Sequence, residues 1–162
     1  MLRISKLTDY AIVMMVYVAH QKSELITANA IAKETNISLP TVKKILRMLL
    51  KSNLLISAQG SHGGYYLSQE PASISVAHII TAMEGQIALT MCNTDEMACD
   101  KHEQCMVKQP WQLINRVIKT SLESITLEDM AKAYQADWQP VIFNKLDTNM
   151  KKIKGRPHEH KN

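Results

Sequence analysis

Between residues 27 and 68 the apolar residues change period once, and that change restricts the fold more than any other feature. Thr27 can cap a short helix over 28–35, with Ala28, Ile31 and Ala32 spaced i, i+3, i+4. Asn36 suits a tight turn. Ser38 is placed to cap a third helix, with Pro40 in its first turn, where a missing N–H does no harm. That helix is expected to run to about Ser52 along a stripe of Val42, Ile45, Leu46, Leu49 and Leu50, with Asn53 as its C-cap. The pattern then becomes strand-like. Residues 54–58 and 65–68 read as two short strands around a glycine-bearing tip, Gly60-Ser61-His62-Gly63-Gly64, which is longer than a two-residue turn.

The flanks agree with this core. Residues 8–21 read as a first helix capped by Thr8 or Asp9, apolar on nearly every side and therefore deep in the interior. Pro71 ends the hairpin, and Ser75 caps a fourth helix over 76–84 that Gly85 closes. Residues 90–106 form a loop without period. A long helix follows, with Val107, Trp111, Ile114, Ile118 and Leu122 on one face. Thr126 and Asp129 form a capping-box-like pair at the start of another helix. The chain from about 145 reads as a polar, basic, disordered tail. Only five glycines and five prolines in 162 residues fit a helix-rich protein. Few aromatics and ten methionines make its core aliphatic and Met-rich.

Helix, short helix, tight turn, longer helix and hairpin is the order of a winged helix-turn-helix. The expected class is therefore mainly α, with a two-stranded wing and a long C-terminal dimerisation helix. The expected division is a DNA-binding domain over 1–85, a cysteine-bearing loop over 86–106, dimerisation helices over 107–135 and an extension over 136–162.

Charge points the same way. The formal net charge is +4, and all of the excess lies in residues 1–70, where eight Lys/Arg face four Asp/Glu. No acidic residue falls between Glu34 and Glu70. A stretch of one sign raises the local concentration of a polyanion. On the third helix, Ser38, Leu39, Thr41, Lys43 and Lys44 form the outward N-terminal end that a recognition helix offers to base edges, and Arg47 and Lys51 suit phosphates. At the hairpin tip, Gly60, Ser61, His62 and Gly63 can approach the backbone closely, with His62 directed to the minor groove. The expected partner is a double-stranded DNA operator bound by a homodimer, its recognition helices roughly 34 Å apart. The apolar run 11–19 is too short to span a membrane, and no cleavable leader precedes the first helix, so a cytoplasmic location is expected. No phosphate-binding glycine loop, nucleophile elbow or paired carboxylates mark an enzyme, so neither a small-molecule substrate nor a membrane partner is expected.

The three cysteines, Cys92, Cys99 and Cys105, are spaced Cys-x6-Cys-x5-Cys in a polar loop. Three thiols cannot pair off, and clustering in a hydrophilic loop favours a soft metal. Zinc sites use closer cysteine pairs, although His102 between Cys99 and Cys105 could complete a zinc-like set. An iron–sulfur cluster accepts three thiolates and one other ligand. Zinc, thiol sensing and a cluster of two or four irons all remain open on these residues alone.

The chain resembles the Rrf family of winged-helix iron–sulfur regulators, which includes IscR and NsrR. The resemblance runs to about residue 135. It rests on Leu2-Arg3-Ile4-Ser5-Lys6-Leu7-Thr8-Asp9-Tyr10-Ala11, Ile37-Ser38-Leu39, Gly63-Gly64-Tyr65, Ile74-Ser75-Val76, the three cysteines and Trp111. Thr8-Asp9-Tyr10-Ala11, Leu39-Pro40-Thr41-Val42 and Glu84-Gly85-Gln86-Ile87-Ala88-Leu89-Thr90 are most similar to the SUF-type regulators of cluster assembly. The resemblance implies a homodimer that senses cluster status and controls cluster-assembly genes. The first cysteine gap is one residue longer than in IscR-like members, and Lys108 stands where they carry a histidine. Asp9 matches the aspartate that NsrR-like members supply from the partner subunit as a ligand. It also matches a helix N-cap.

Overall fold

A computed structural model describes residues 4–21, 25–60, 63–94 and 105–133. Helix α1 spans Lys6–His20, α2 Ala28–Thr35 and α3 Leu39–Lys51. Strands β1 (Leu55–Ala58) and β2 (Gly64–Leu67) follow, then α4 (Val76–Glu84), α5 (Lys108–Ser124) and α6 (Leu127–Ala133). The class is mainly α with a two-stranded antiparallel wing, as the period change implies.

The core is made where α1, α3 and α4 meet. Val42, Ile45, Leu46 and Leu49, the expected inward stripe of α3, are all buried together with Met14, Met15, Ile31, Ile74 and Ile79. Methionine does fill the interior, since its unbranched thioether adapts to gaps between helices.

Two boundaries differ from the expectation, and a third is capped without the expected bond. The cap of α1 is Ser5, not Thr8 or Asp9. Ser5 has an extended backbone, its Oγ accepts the Thr8 N–H at 3.2 Å, and its carbonyl accepts the Asp9 N–H. Thr8 is instead buried inside the first turn. Helix α3 ends at a Ser52 cap, with Asn53 one residue beyond in the left-handed conformation (φ 54°), the position that stops a helix. Ser38 sits at the α3 N-cap, but its Oγ pairs with the Thr41 hydroxyl at 2.8 Å and makes no cap bond. Asn36 adopts the left-handed turn conformation, so only Asn36, Ile37 and Ser38 separate α2 from α3.

The wing pairs Leu55 with Leu67, Ile56 with Tyr66, Ser57 with Tyr65 and Ala58 with Gly64. Its outer edge is not bare. Ile26 exchanges both backbone hydrogen bonds with Tyr65, at 3.0 and 2.9 Å, and so forms a third rung ahead of α2. A side chain at Gly64 would come within 2.9 Å of the Ile26 backbone, so the close approach requires glycine.

The last helix returns to this core. The backbone around Thr126 bridges that around Ser75: Val76 N–H donates to Ile125 O and Leu127 N–H to Ile74 O. Leu127 is fully buried and α6 lies on α1. The pair Thr126 and Asp129 opens α6 as expected, each side chain bonding the other's backbone N–H. At α4, Ser75 and His78 form the same reciprocal box. Helix α5 differs from every other long helix: all of its residues keep part of their surface open.

Candidate DNA interface and cysteine loop

The short turn after α2 puts the N-terminal end of α3 at the surface. Lys43, Lys44, Arg47 and Lys51 are exposed along one side of α3, opposite its buried stripe. Ser38 is exposed, and Leu39 and Thr41 are half-buried. Because Ser38 spends its hydroxyl on Thr41, no side-chain cap occupies the first-turn N–H groups of α3. A helix end of that kind carries positive dipole and two hydroxyls, which suits phosphate or base-edge acceptors. The wing adds Gly60, exposed at φ 113°, whose carbonyl accepts the Gly63 N–H at 3.0 Å. A side chain on Gly63 would collide with the Ala58 carbonyl, so this glycine already has a reason within the wing. Ser61 and His62 lie outside the described residues.

The cysteine loop begins where α4 ends. Glu84, the last residue of α4, accepts the Thr8 hydroxyl at 2.6 Å and the Ser5 N–H at 2.9 Å. The Thr8 hydroxyl, and after it the Ser5 N–H, hold the Glu84 carboxyl below the ordinary carboxylate value. Gly85 then turns the chain at φ 87°. Residues 87–89 run beside α5, where Leu89 N–H donates to Asn115 Oδ1 at 2.9 Å and Asn115 Nδ2 donates to Ile87 O at 3.3 Å. A 3-10 turn, Met91–Asn93, carries Cys92. Cys105 is a half-buried free thiol whose carbonyl accepts the N–H of Lys108, the first residue of α5.

Cys99 and His102 lie outside the described residues. Among the described residues no three His, Cys, Asp or Glu side chains stand together as a metal site. The donor chemistry is nonetheless that of a soft-metal site, with three cysteines in fourteen residues and Cys105 present as a thiol. Asp9 is exposed in the first turn of α1, beside a hollow lined by Ile4, Lys6 and Ile12. With Ser5 as the cap, its carboxylate is not the helix cap that the sequence allowed.

Sequence reasoning missed Glu84 and Asn115. Asn115 had a signal, a lone carboxamide between the apolar Ile114 and Ile118 of α5. Ser5, Thr8 and Glu84 had none, because 76 residues separate Thr8 from Glu84.

The sequence profile of the Rrf2 family, described as iron-dependent transcriptional regulators, matches residues 4–133. The chain belongs to the Rrf2 family. Relatives across its length are regulators too. The HTH-type transcriptional regulator IscR of Yersinia enterocolitica is 26% identical over 159 residues, covering 98% of this chain and 95% of that protein. IscR of Xenorhabdus nematophila is 27% identical over 160 residues, with the same coverage of both. Among solved structures, CymR, the global cysteine regulator of B. subtilis, superposes at TM-score 0.66 with 28% identity, over 82% of this chain and 98% of that one. IscR of T. potens superposes at 0.65 with 26% identity, over 88% and 96%. This Rrf2-family chain is therefore a DNA-binding winged-helix transcription regulator of IscR-like type. Among the described residues no helix is long and apolar enough to cross a membrane.

Proposed function

We propose that the chain is an iron–sulfur sensor in the cytoplasm that binds double-stranded operator DNA as a homodimer and controls cluster-assembly genes of SUF type. The observation that carries this reading is the placement of three cysteines on the connection between α4 and α5, in a member of a family described as iron-dependent. Cys92, Cys99 and Cys105 would hold the cluster, which supplies a redox- and supply-sensitive group whose loss reports conditions in the cell. The fourth ligand is the partner subunit's Asp9, with His102 as the lesser candidate. The exposure of Asp9 on α1 leaves it accessible to a second copy.

The chain's own residues then link loop and DNA. Glu84 ties the exit of α4 to the N-terminus of α1, and α1 packs in the core that seats α3. A displacement of the loop is thereby passed to the helix that faces DNA. On α3, Lys43 and Lys44 with Ser38, Leu39 and Thr41 approach base edges, while Arg47 and Lys51 meet phosphates. The wing tip, Gly60, Ser61, His62 and Gly63, follows the adjacent groove. Helix α5 offers Trp111, Ile114 and Val117 to the second copy.

A second reading keeps the same DNA-binding head but uses the cysteines as thiol sensors or zinc ligands. It is favoured by the likeness to CymR, a cysteine regulator. The test is the visible spectrum of protein purified without oxygen, with iron, acid-labile sulfide and zinc measured on the same sample. Visible absorption with matched iron and sulfide supports the cluster. Colourless protein that stays so after reconstitution, with zinc or no metal, supports the second reading.

A further inference from the structure

The cysteine loop is fastened to one helix at both of its ends. On the first side, Leu89, three residues before Cys92, donates its N–H to Asn115 Oδ1, and Asn115 Nδ2 donates to the Ile87 carbonyl. Only one orientation of the carboxamide satisfies both bonds, so the side chain stands in for a neighbouring strand along residues 87–89. The turn that follows is closed locally. Asn93 N–H donates to the Thr90 carbonyl at 2.9 Å and Asn93 Nδ2 to the Thr90 hydroxyl at 2.7 Å. On the second side, the Cys105 carbonyl accepts the Lys108 N–H at the foot of α5. Residues 85–89 and α5 are not closely packed along their whole length. A cleft of about 490 Å³, lined by Ile80, Ile87, Leu89, Ile118 and Leu122 among others, lies between them, and every α5 residue is partly open. Asn115 supplies two directional ties there.

We propose that Asn115 is the positioning residue of the cysteine loop, a clamp that fixes the approach of Cys92 to the same helix whose first residue bonds the Cys105 carbonyl. The proposal rests on the reading of the three cysteines as cluster ligands. A metal site recruited from a slack loop must order that loop when it binds, and affinity falls by the cost of doing so. Clamping residues 87–89 orders the approach to Cys92 in advance. Because both anchors sit on α5, the spacing between the two ends of the loop does not change when the helix moves as a body. A neutral carboxamide suits the task. It offers one donor and one acceptor to a peptide backbone without adding charge beside a thiolate cluster.

The test compares the native protein with Asn115→Ala and Asn115→Asp. Two quantities are read: amide hydrogen exchange at Leu89 in metal-free protein, and the rate at which visible absorption, iron and sulfide are lost in air after anaerobic reconstitution. In Asn115→Ala, Leu89 exchange should rise about tenfold, as expected for one lost hydrogen bond. Cluster loss should accelerate by about 10-fold or more, the effect of removing a residue that supports a ligand. The melting temperature should stay within a few degrees of native, because the core does not include Asn115. Asn115→Asp keeps an acceptor for Leu89 N–H but sets an oxygen against the Ile87 carbonyl and adds a charge beside the cysteines, so it should recover part of the Leu89 protection while cluster loss stays faster than native. Faster exchange at Leu89 with unchanged cluster loss overturns the positioning role, as does an unprotected Leu89 in the native protein. A native chain that takes up neither iron nor sulfide, with Leu89 protection still dependent on Asn115, overturns the cluster reading and locates the failure there.

Discussion

The DNA-reading head and the connection from Gly85 through α5 are built on opposite plans. In the head, Met14, Met15, Ile31, Val42, Ile45, Leu46 and Leu49 are at most 1% exposed. Its caps and wing ladder are satisfied by near neighbours in sequence, apart from the Ile26 rung. In the connection, Trp111 is 39% exposed, Ile114 44% and Val117 41%. Single side chains reach across the chain to tie this region, Glu84 at its entry to residues 5 and 8 and Asn115 to residues 87 and 89. The first plan yields one rigid body that presents α3 at a fixed angle. The second leaves an apolar face partly open; in the proposed function a second copy covers that face and a metal takes up the thiols of the adjoining loop. Helix α6 sides with the head, although it comes last among the described elements, because Leu127 is fully buried there.

The largest effect should separate these plans most sharply. Leu127→Ala deletes a fully buried side chain beneath α1 and should cost roughly 2–5 kcal/mol, seen as a lower denaturation midpoint. Trp111→Ala, on the open face of α5, should leave the stability of the head within about 1 kcal/mol and instead shift the sedimentation profile toward monomer. Equal destabilisation by both would break the distinction. Next in size is Cys92→Ala. It should abolish the retention of iron and sulfide while the winged-helix core unfolds at the native temperature. A collapse of the core would show that the loop is part of the fold and not an addition to it.

Effects on the reading surface come next. Lys43→Ala should weaken specific binding by about 1–3 kcal/mol and relax sequence preference, whereas Lys51→Ala should weaken binding to all sequences and reduce the salt slope by about one unit. Gel shifts at several salt concentrations check both. Unchanged affinity in the two variants would remove α3 from the interface.

The same division governs how much could be read in advance. The head was legible because its signals are local and repeat: the i, i+3, i+4 stripe of α3, Thr27 and Ser75 as caps, and Asn36 in the left-handed turn. The errors there were of one to four residues at a cap, and two of them had a competing partner. Ser5 caps α1 because Thr8 is drawn into the fold by Glu84, and Ser38 makes no cap bond because Thr41 takes its hydroxyl. The Ile26 rung was missed because one paired residue leaves no period. Of the site, the cysteines and basic residues were visible as residue types, but what positions them was not. Asn115 bonds backbone groups, which every residue possesses, and Glu84 bonds a backbone N–H and a hydroxyl 76 residues away, so neither pairing could be inferred from composition or spacing. The apolar face expected on α5 was real but divided, with Ile118 and Leu122 lining the cleft toward α4 and Trp111 and Ile114 open.

The smallest expected effect concerns an ionisable tie where the head meets the connection. The Glu84 carboxyl is held below its ordinary value of 4.5, first by the Thr8 hydroxyl and then by the Ser5 N–H. A carboxyl depressed in the folded state contributes stability that is fully present above the unfolded value and is lost as pH falls through the folded one. Glu84→Gln keeps an oxygen that can accept both bonds but removes the titration. The native protein should therefore melt slightly higher than the Gln variant at neutral pH, with the gap closing below about pH 4. Glu84 is exposed, so solvent screens the tie and the gap should be small. If the tie also carries the loop's displacement to α1, the Gln variant should narrow the difference in DNA affinity between cluster-loaded and metal-free protein, because a neutral acceptor grips Thr8 and Ser5 less firmly than a carboxylate. A gap in melting temperature that does not vary with pH would show that the contact is steric, and an unchanged affinity difference would place the route to α3 elsewhere in the chain.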